Sequence, residues 1–146
     1  MIEKILVAID GSDYAEWALD FALDLAHRYS AEIQLLTVVP PVFLPVHSFD
    51  LVKSEAIADA TRQLESSFKE VLSKAEAKVK KTNLKVSTKL EHGSPDERIV
   101  EVAKLGGFGI IVMGSRGLGH RGYGLGSVSS RVIDSAHCPV LIVNKA

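Results

Sequence analysis

The residues with chemistry in them stand where an apolar run stops. Ile110-Ile111-Val112-Met113 ends at Gly114-Ser115-Arg116-Gly117, and after a loop rich in glycine and basic residues the chain restarts as a helix at Gly126-Ser127-Val128-Ser129. A buried strand that delivers a glycine loop to a helix N-terminus is suited to holding phosphate. Glycines let backbone N–H groups approach the ligand, and the helix end adds partial positive charge. A second polar strand end, Asp10-Gly11-Ser12, follows the apolar run Lys4-Ile5-Leu6-Val7-Ala8-Ile9. Asp10 reads either as a ligand-facing carboxylate or as the residue that caps the turn into the next helix. Met113 is a core residue that becomes a pocket wall where a pocket exists. Arg116, His120 and Arg121 read either as partners for phosphate oxygens or as a solvated basic loop.

Other chemistries lack their residues. There is no Gly-x-x-x-x-Gly-Lys-Ser/Thr loop, no Gly-x-Ser-x-Gly nucleophile elbow and no kinase-like set of lysine and acid motifs. A glycine cradle binds phosphate but does not position an attacking water, and Asp10 is the one evident base for hydrolysis. His27, His47, His92 and His137 do not sit at metal-ligand spacing. The single cysteine, Cys138, can form no internal disulfide and reads as a small buried residue beside Pro139. A formal net charge of −1 gives no global field to draw in nucleic acid, so no nucleic-acid partner is expected. The start, Met1-Ile2-Glu3-Lys4, resembles neither a signal peptide nor a membrane span, and a cytoplasmic protein with no membrane partner is expected.

At 146 residues the chain is expected to form a single domain, 1–146. The run 4–10 reads as a strand buried on both faces. Asp13 with Glu16 marks a helix start, and Tyr14, Ala18, Phe21, Ala22, Leu25 and Tyr29 form its apolar stripe. A second strand, 32–39, stops at Pro40-Pro41. The segment 40–50, with Pro45 among Val42, Phe43, Leu44, Val46 and Phe49, is expected to pack over the sheet end or a ligand. A long amphipathic helix covers 51–81. Strict alternation over 84–91 predicts an edge strand. Ser94-Pro95-Asp96-Glu97 opens a helix that buries Ile99, Val102 and Leu105 and stops at Gly106-Gly107. A strand over 108–113, a helix over 126–136 that buries Val128, Val132 and Ile133, and a strand over 139–144 complete the alternation. It predicts an α/β fold: a doubly wound five-stranded parallel sheet, order 3-2-1-4-5, with helices on both faces. The topological switch point then lies between strands one and four, and both polar strand ends are delivered to it.

Ala8-Ile9-Asp10-Gly11-Ser12, His92-Gly93-Ser94-Pro95, Met113-Gly114-Ser115-Arg116-Gly117, Gly126-Ser127-Val128-Ser129 and Cys138-Pro139-Val140-Leu141-Ile142-Val143 together resemble the universal stress protein family, in the same order along the whole chain. ATP-binding members share the pattern Gly, two residues, Gly, nine residues, Gly, then Ser or Thr. This chain has eight residues, Leu118 to Leu125, between Gly117 and Gly126, three of them glycines. The extra glycines either let the shorter loop reach the phosphates or leave it loose and weakly binding.

The resemblance implies an adenine nucleotide site with ATP as ligand, with or without Mg2+. By that likeness Asp10 lies near ribose and phosphates, Val38 offers backbone groups to adenine, and Met113 packs on the nucleoside. The N–H groups of Gly114, Gly117, Gly126, Ser127 and Val128 cradle the phosphates, with the Ser127 and Ser129 hydroxyls assisting. Arg116 adds charge, and Ala8 matches a pocket-lining position where some nucleotide binders carry proline. The function expected is a stress-response protein with ATP as a regulatory ligand. A slow ATPase or phosphotransfer protein at the same site and a dimeric adaptor that binds no nucleotide are the alternatives. No catalytic residue is assigned. The apolar strand 139–144 would sit at a sheet edge, and pairing with a second copy would cover it, as similar proteins do.

Overall fold

The computed structural model describes residues 2–43, 51–120 and 122–145. Strands and helices alternate: β1 (Lys4–Ala8), α1 (Asp13–Tyr29), β2 (Glu32–Val39), α2 (Leu51–Lys80), β3 (Val86–His92), α3 (Pro95–Leu105), β4 (Ile110–Gly114), α4 (Ser127–Ser135) and β5 (Val140–Val143). The five strands form one sheet, all parallel, in the order β3-β2-β1-β4-β5. This is the expected topology, and it places β1 beside β4, with Ile5 opposite Ile110 and Val7 opposite Val112.

Alternation along the central strands divides the core into two layers. Ile5 and Val7 of β1 face α1 and α2, where they meet Ala18, Ala22, Leu72 and Val79. Leu6 faces α3 and α4 and packs among Ile99, Val102, Ile111 and Val132. The helices therefore cover both faces. β3 is the wet edge that its alternating sequence predicts: Ser87, Thr88 and Lys89 are exposed.

In α1 the buried stripe differs from the one expected. In α1 the buried face is Ala15, Ala18, Leu19, Ala22 and Ala26, whereas Phe21 and Tyr29 are exposed. Small residues let the helix lie close on β1 and β4, and the bulky aromatic residues are rotated off that contact. The cap also lies one residue earlier than Asp13. Ser12 is the N-cap, and its hydroxyl accepts a hydrogen bond from the Ala15 N–H at 3.2 Å. Ser30 closes the helix in the left-handed region at φ 53°. Leu105 and Ile133, expected in the core, are exposed; Leu105 is the last residue of α3, and Ile133 lies beside Val132, which takes the inward position on α4. Ser94 caps α3 by position, but its hydroxyl donates to the Asp96 carboxylate rather than bonding a helix N–H. Cys138 is half-buried beside the α3–α4 layer, and burial pushes its thiol up from the ordinary value, partly offset by a hydrogen bond with the Ile111 backbone.

Of the expected apolar segment, Pro40 is half-buried and Phe43 is exposed. Residues 44–50 of the segment lie outside the described residues, Leu44, Pro45, Val46, His47 and Phe49 among them, as does Arg121 of the glycine loop.

Candidate functional site

The carboxyl ends of β1 and β4 open into a cavity of about 420 Å3, the size of a small-molecule site. The eleven residues that the family resemblance assigns to the site line it: Ala8, Asp10, Val38, Met113, Gly114, Arg116, Gly117, Gly126, Ser127, Val128 and Ser129. They converge because a parallel sheet sends all its strand ends to one side, and the crossover from β1 to β2 on one hand and from β4 to β5 on the other leaves a crevice between them.

Asp10 is the hinge of the arrangement. Its Oδ1 accepts the Ser12 N–H at 2.9 Å, which fixes the turn into α1. Its Oδ2 accepts the Leu118 N–H at 3.2 Å, which ties that turn to the glycine loop. Asp10 thus fills the turn role read from the sequence and also lines the cavity, where its carboxylate joins the two halves.

The glycines serve different purposes. A Cβ on Gly114 would stand 2.6 Å from the Tyr14 Cβ and 2.9 Å from the Tyr14 carbonyl carbon, so this position is glycine because α1 crosses there. A Cβ on Gly117 would stand 2.7 Å from Asp10 Oδ2, so the loop comes near the carboxylate only without a side chain. Contacts within the shortened loop tie together its described residues. Arg116 Nε donates to the Gly124 carbonyl at 2.8 Å, its Nη1 donates to the Tyr14 hydroxyl at 3.3 Å, and its guanidinium carbon stands 5.5 Å from the centre of the Tyr14 ring. Gly119, Gly122 and Gly124 take φ of 71°, 97° and 86°, turns that other residues adopt with strain. Arg116 therefore lines the cavity but is directed to the loop's own carbonyl and to Tyr14.

The loop ends at Gly126, the N-cap of α4. Its N–H donates to Ser115 O at 2.8 Å and its carbonyl accepts from Ser130 N–H at 3.1 Å. A glycine cap has no side chain to satisfy the first turn, so the N–H groups of Ser127, Val128 and Ser129 have no partner within the helix. All three residues line the cavity. The Ser129 hydroxyl is buried and shares its one proton between Ser115 O at 2.7 Å and Gly126 O at 3.0 Å, so it holds the loop to the helix; what Ser129 leaves for a ligand is its backbone N–H.

The sequence reading missed the apolar walls. Leu36 of β2, Phe68 of α2, and Pro95 and Ile99 of α3 also line the cavity, with Pro40 following β2. Phe68 and Ile99 carried no signal beyond core periodicity. Pro40 belongs to the segment expected over the sheet end. Among the described residues no cluster of three or more His, Cys, Asp or Glu side chains forms a metal site, and no helix is long and apolar enough to cross a membrane.

A sequence profile of the Universal stress protein family matches residues 1–144. The chain belongs to the universal stress protein family. The universal stress protein YxiE of Bacillus subtilis is 36% identical over 155 aligned positions, covering 98% of this chain and 99% of its own. Among solved structures, the universal stress protein UspA from Lactobacillus plantarum superposes with a TM-score of 0.84 at 26% identity, covering 97% of each chain. Two further universal stress protein structures carry nucleotides. One was solved in complex with cAMP, with TM-score 0.72, 25% identity and coverage of 99% of this chain and 98% of that one. The other, from Archaeoglobus fulgidus, was solved in complex with dAMP, with TM-score 0.67, 25% identity and the same coverage.

Proposed function

We propose that this universal stress protein binds an adenine nucleotide, ATP foremost, in the cavity between β1 and β4, and that the nucleotide acts as a regulatory ligand in a stress response. The observation that carries this reading is the uncapped first turn of α4, whose free N–H groups line a cavity with apolar walls. A helix N-terminus favours an anion, and the apolar walls from β2, α2 and α3 suit a base and sugar. The nucleotide complexes of two relatives support the same ligand class. Any Mg2+ would enter on the ligand's phosphates. Asp10 supports binding over turnover, because both its oxygens already accept backbone N–H groups and hold the loop, rather than standing free to orient water.

Isothermal titration with ATP, ADP, AMP and adenosine tests the reading, with mass spectrometry of small molecules released from the freshly purified, denatured protein. Binding of ATP with a Kd below about 1 mM is expected. No heat and no thermal shift at millimolar Mg-ATP would overturn it. We further propose that two copies pair through strand 139–144, because Val140, Leu141 and Ile142 of β5 are half-buried apolar residues on a sheet edge.

A further inference from the structure

We propose that His120 is the residue of the glycine loop that recognises the ligand's phosphate. The inference rests on the nucleotide reading above. Among the described residues two buried side-chain polar atoms have no hydrogen-bond partner, Ser115 Oγ and His120 Nε2, and both belong to this loop. Buried polar groups are nearly always paired, so an orphan that lines a cavity calls for a partner there. Ser115 is fully buried and does not line the cavity; His120 does.

The loop is shaped to hold the imidazole there. After Gly119 turns at φ 71°, the His120 N–H donates back to Gly117 O at 3.4 Å. The ring then packs against Gly126, with Nδ1 3.8 Å from where a Cβ on that glycine would stand. Gly126 caps α4, so the imidazole lies beside the helix end that carries the free N–H groups. An anionic oxygen at the first turn of α4 would lie on the side of the loop where the imidazole packs, and a ring that turns to bring a buried nitrogen out would meet it.

The other charged or titratable side chains of the cavity are already engaged. Asp10, from the end of β1, holds Ser12 and Leu118, and Arg116 holds Gly124 and Tyr14 of α1. The walls from β2, α2 and α3 are apolar, and α4 offers Ser127, Val128 and Ser129. His120 alone of the three titratable groups has a buried, unpaired nitrogen.

The test is titration calorimetry with ATP and with adenosine on the wild type, His120→Ala and His120→Gln. Circular dichroism confirms that each variant is folded. His120→Ala is expected to weaken ATP about tenfold, with adenosine unchanged. His120→Gln, which keeps a donor, recovers part of the loss. Equal ATP affinity of His120→Ala and wild type overturns the proposal while leaving the nucleotide site in place. Equal losses for ATP and adenosine overturn it too, since they show a packing role. A wild type that binds neither ligand overturns the nucleotide reading and this proposal with it.

Discussion

Asp10 and Gly114 show how single residues at the strand ends combine support and site. Removing the Asp10 carboxylate frees two backbone N–H groups at once, on either side of the cavity. Asp10→Ala is expected to lower stability by about 1–3 kcal/mol, read as a fall in thermal midpoint, and to weaken ATP binding by loosening the glycine loop. Asp10→Asn should recover stability only in part, since an amide accepts through one oxygen. Gly114 and Gly126 share one sequence pattern but differ physically. Gly114→Ala drives a methyl into the Tyr14 backbone and should lose about 1–3 kcal/mol in denaturant unfolding. Gly126→Ala meets its nearest atoms at 3.4 Å, an ordinary contact, and should lose about 1 kcal/mol or less. Comparable losses from the two would show that Gly114 is not set by the α1 crossing.

At the scale of elements, α1 and α2 lie side by side on one face of the sheet and are joined by Lys78. Its ammonium stands 2.6 Å from the Asp20 carboxylate and 3.4 Å from that of Glu16. The hydrogen bond to Asp20 is the largest of the effects that hold the lysine above its ordinary value. A raised lysine contributes stability that is complete below its unfolded value and is lost as pH rises through its folded value. The contribution should therefore be flat across neutral pH and fade in strongly alkaline solution. Because the group is over a third exposed, Lys78→Met is expected to change stability by about 0.5–1 kcal/mol at most, and by less in high salt. The same elements show what the chain made legible. Strand order could be read because β1 and β4 are continuously apolar and β3 alternates, and burial on two faces or one leaves that mark in sequence. The candidate site followed, since topology alone sends Asp10 and Gly114 to one crevice. The stripe of α1 did not follow, because Phe21 and Tyr29 satisfy helical periodicity as well as Ala15 and Leu19 do, and closeness to the sheet favoured the smaller set. The bonds of Arg116 to Gly124 and Tyr14 were hidden for another reason: they depend on loop turns that periodicity does not describe.

For the molecule as a whole, the proposed pairing through β5 predicts a state in solution. Val140, Leu141 and Ile142 leave an apolar edge half-exposed, and the expected outcome is a two-chain species by sedimentation at micromolar concentration. Ile142→Lys should shift it to single chains, and a wild type that sediments as a single chain would refute the pairing. The order of the strands has a consequence for synthesis. The hydrogen bond from Leu118 N–H to Asp10 spans 108 residues, and β1 meets β4 across nearly as long a stretch of chain. Translation at roughly 5–20 residues per second leaves β1 without its second neighbour for about 5–20 s after it emerges. During that interval the crevice between β1 and β4 does not exist. On the proposed nucleotide reading, a ligand would stabilise this protein by mass action only after α4 has left the ribosome, so its occupancy would distinguish finished chains from those still being made.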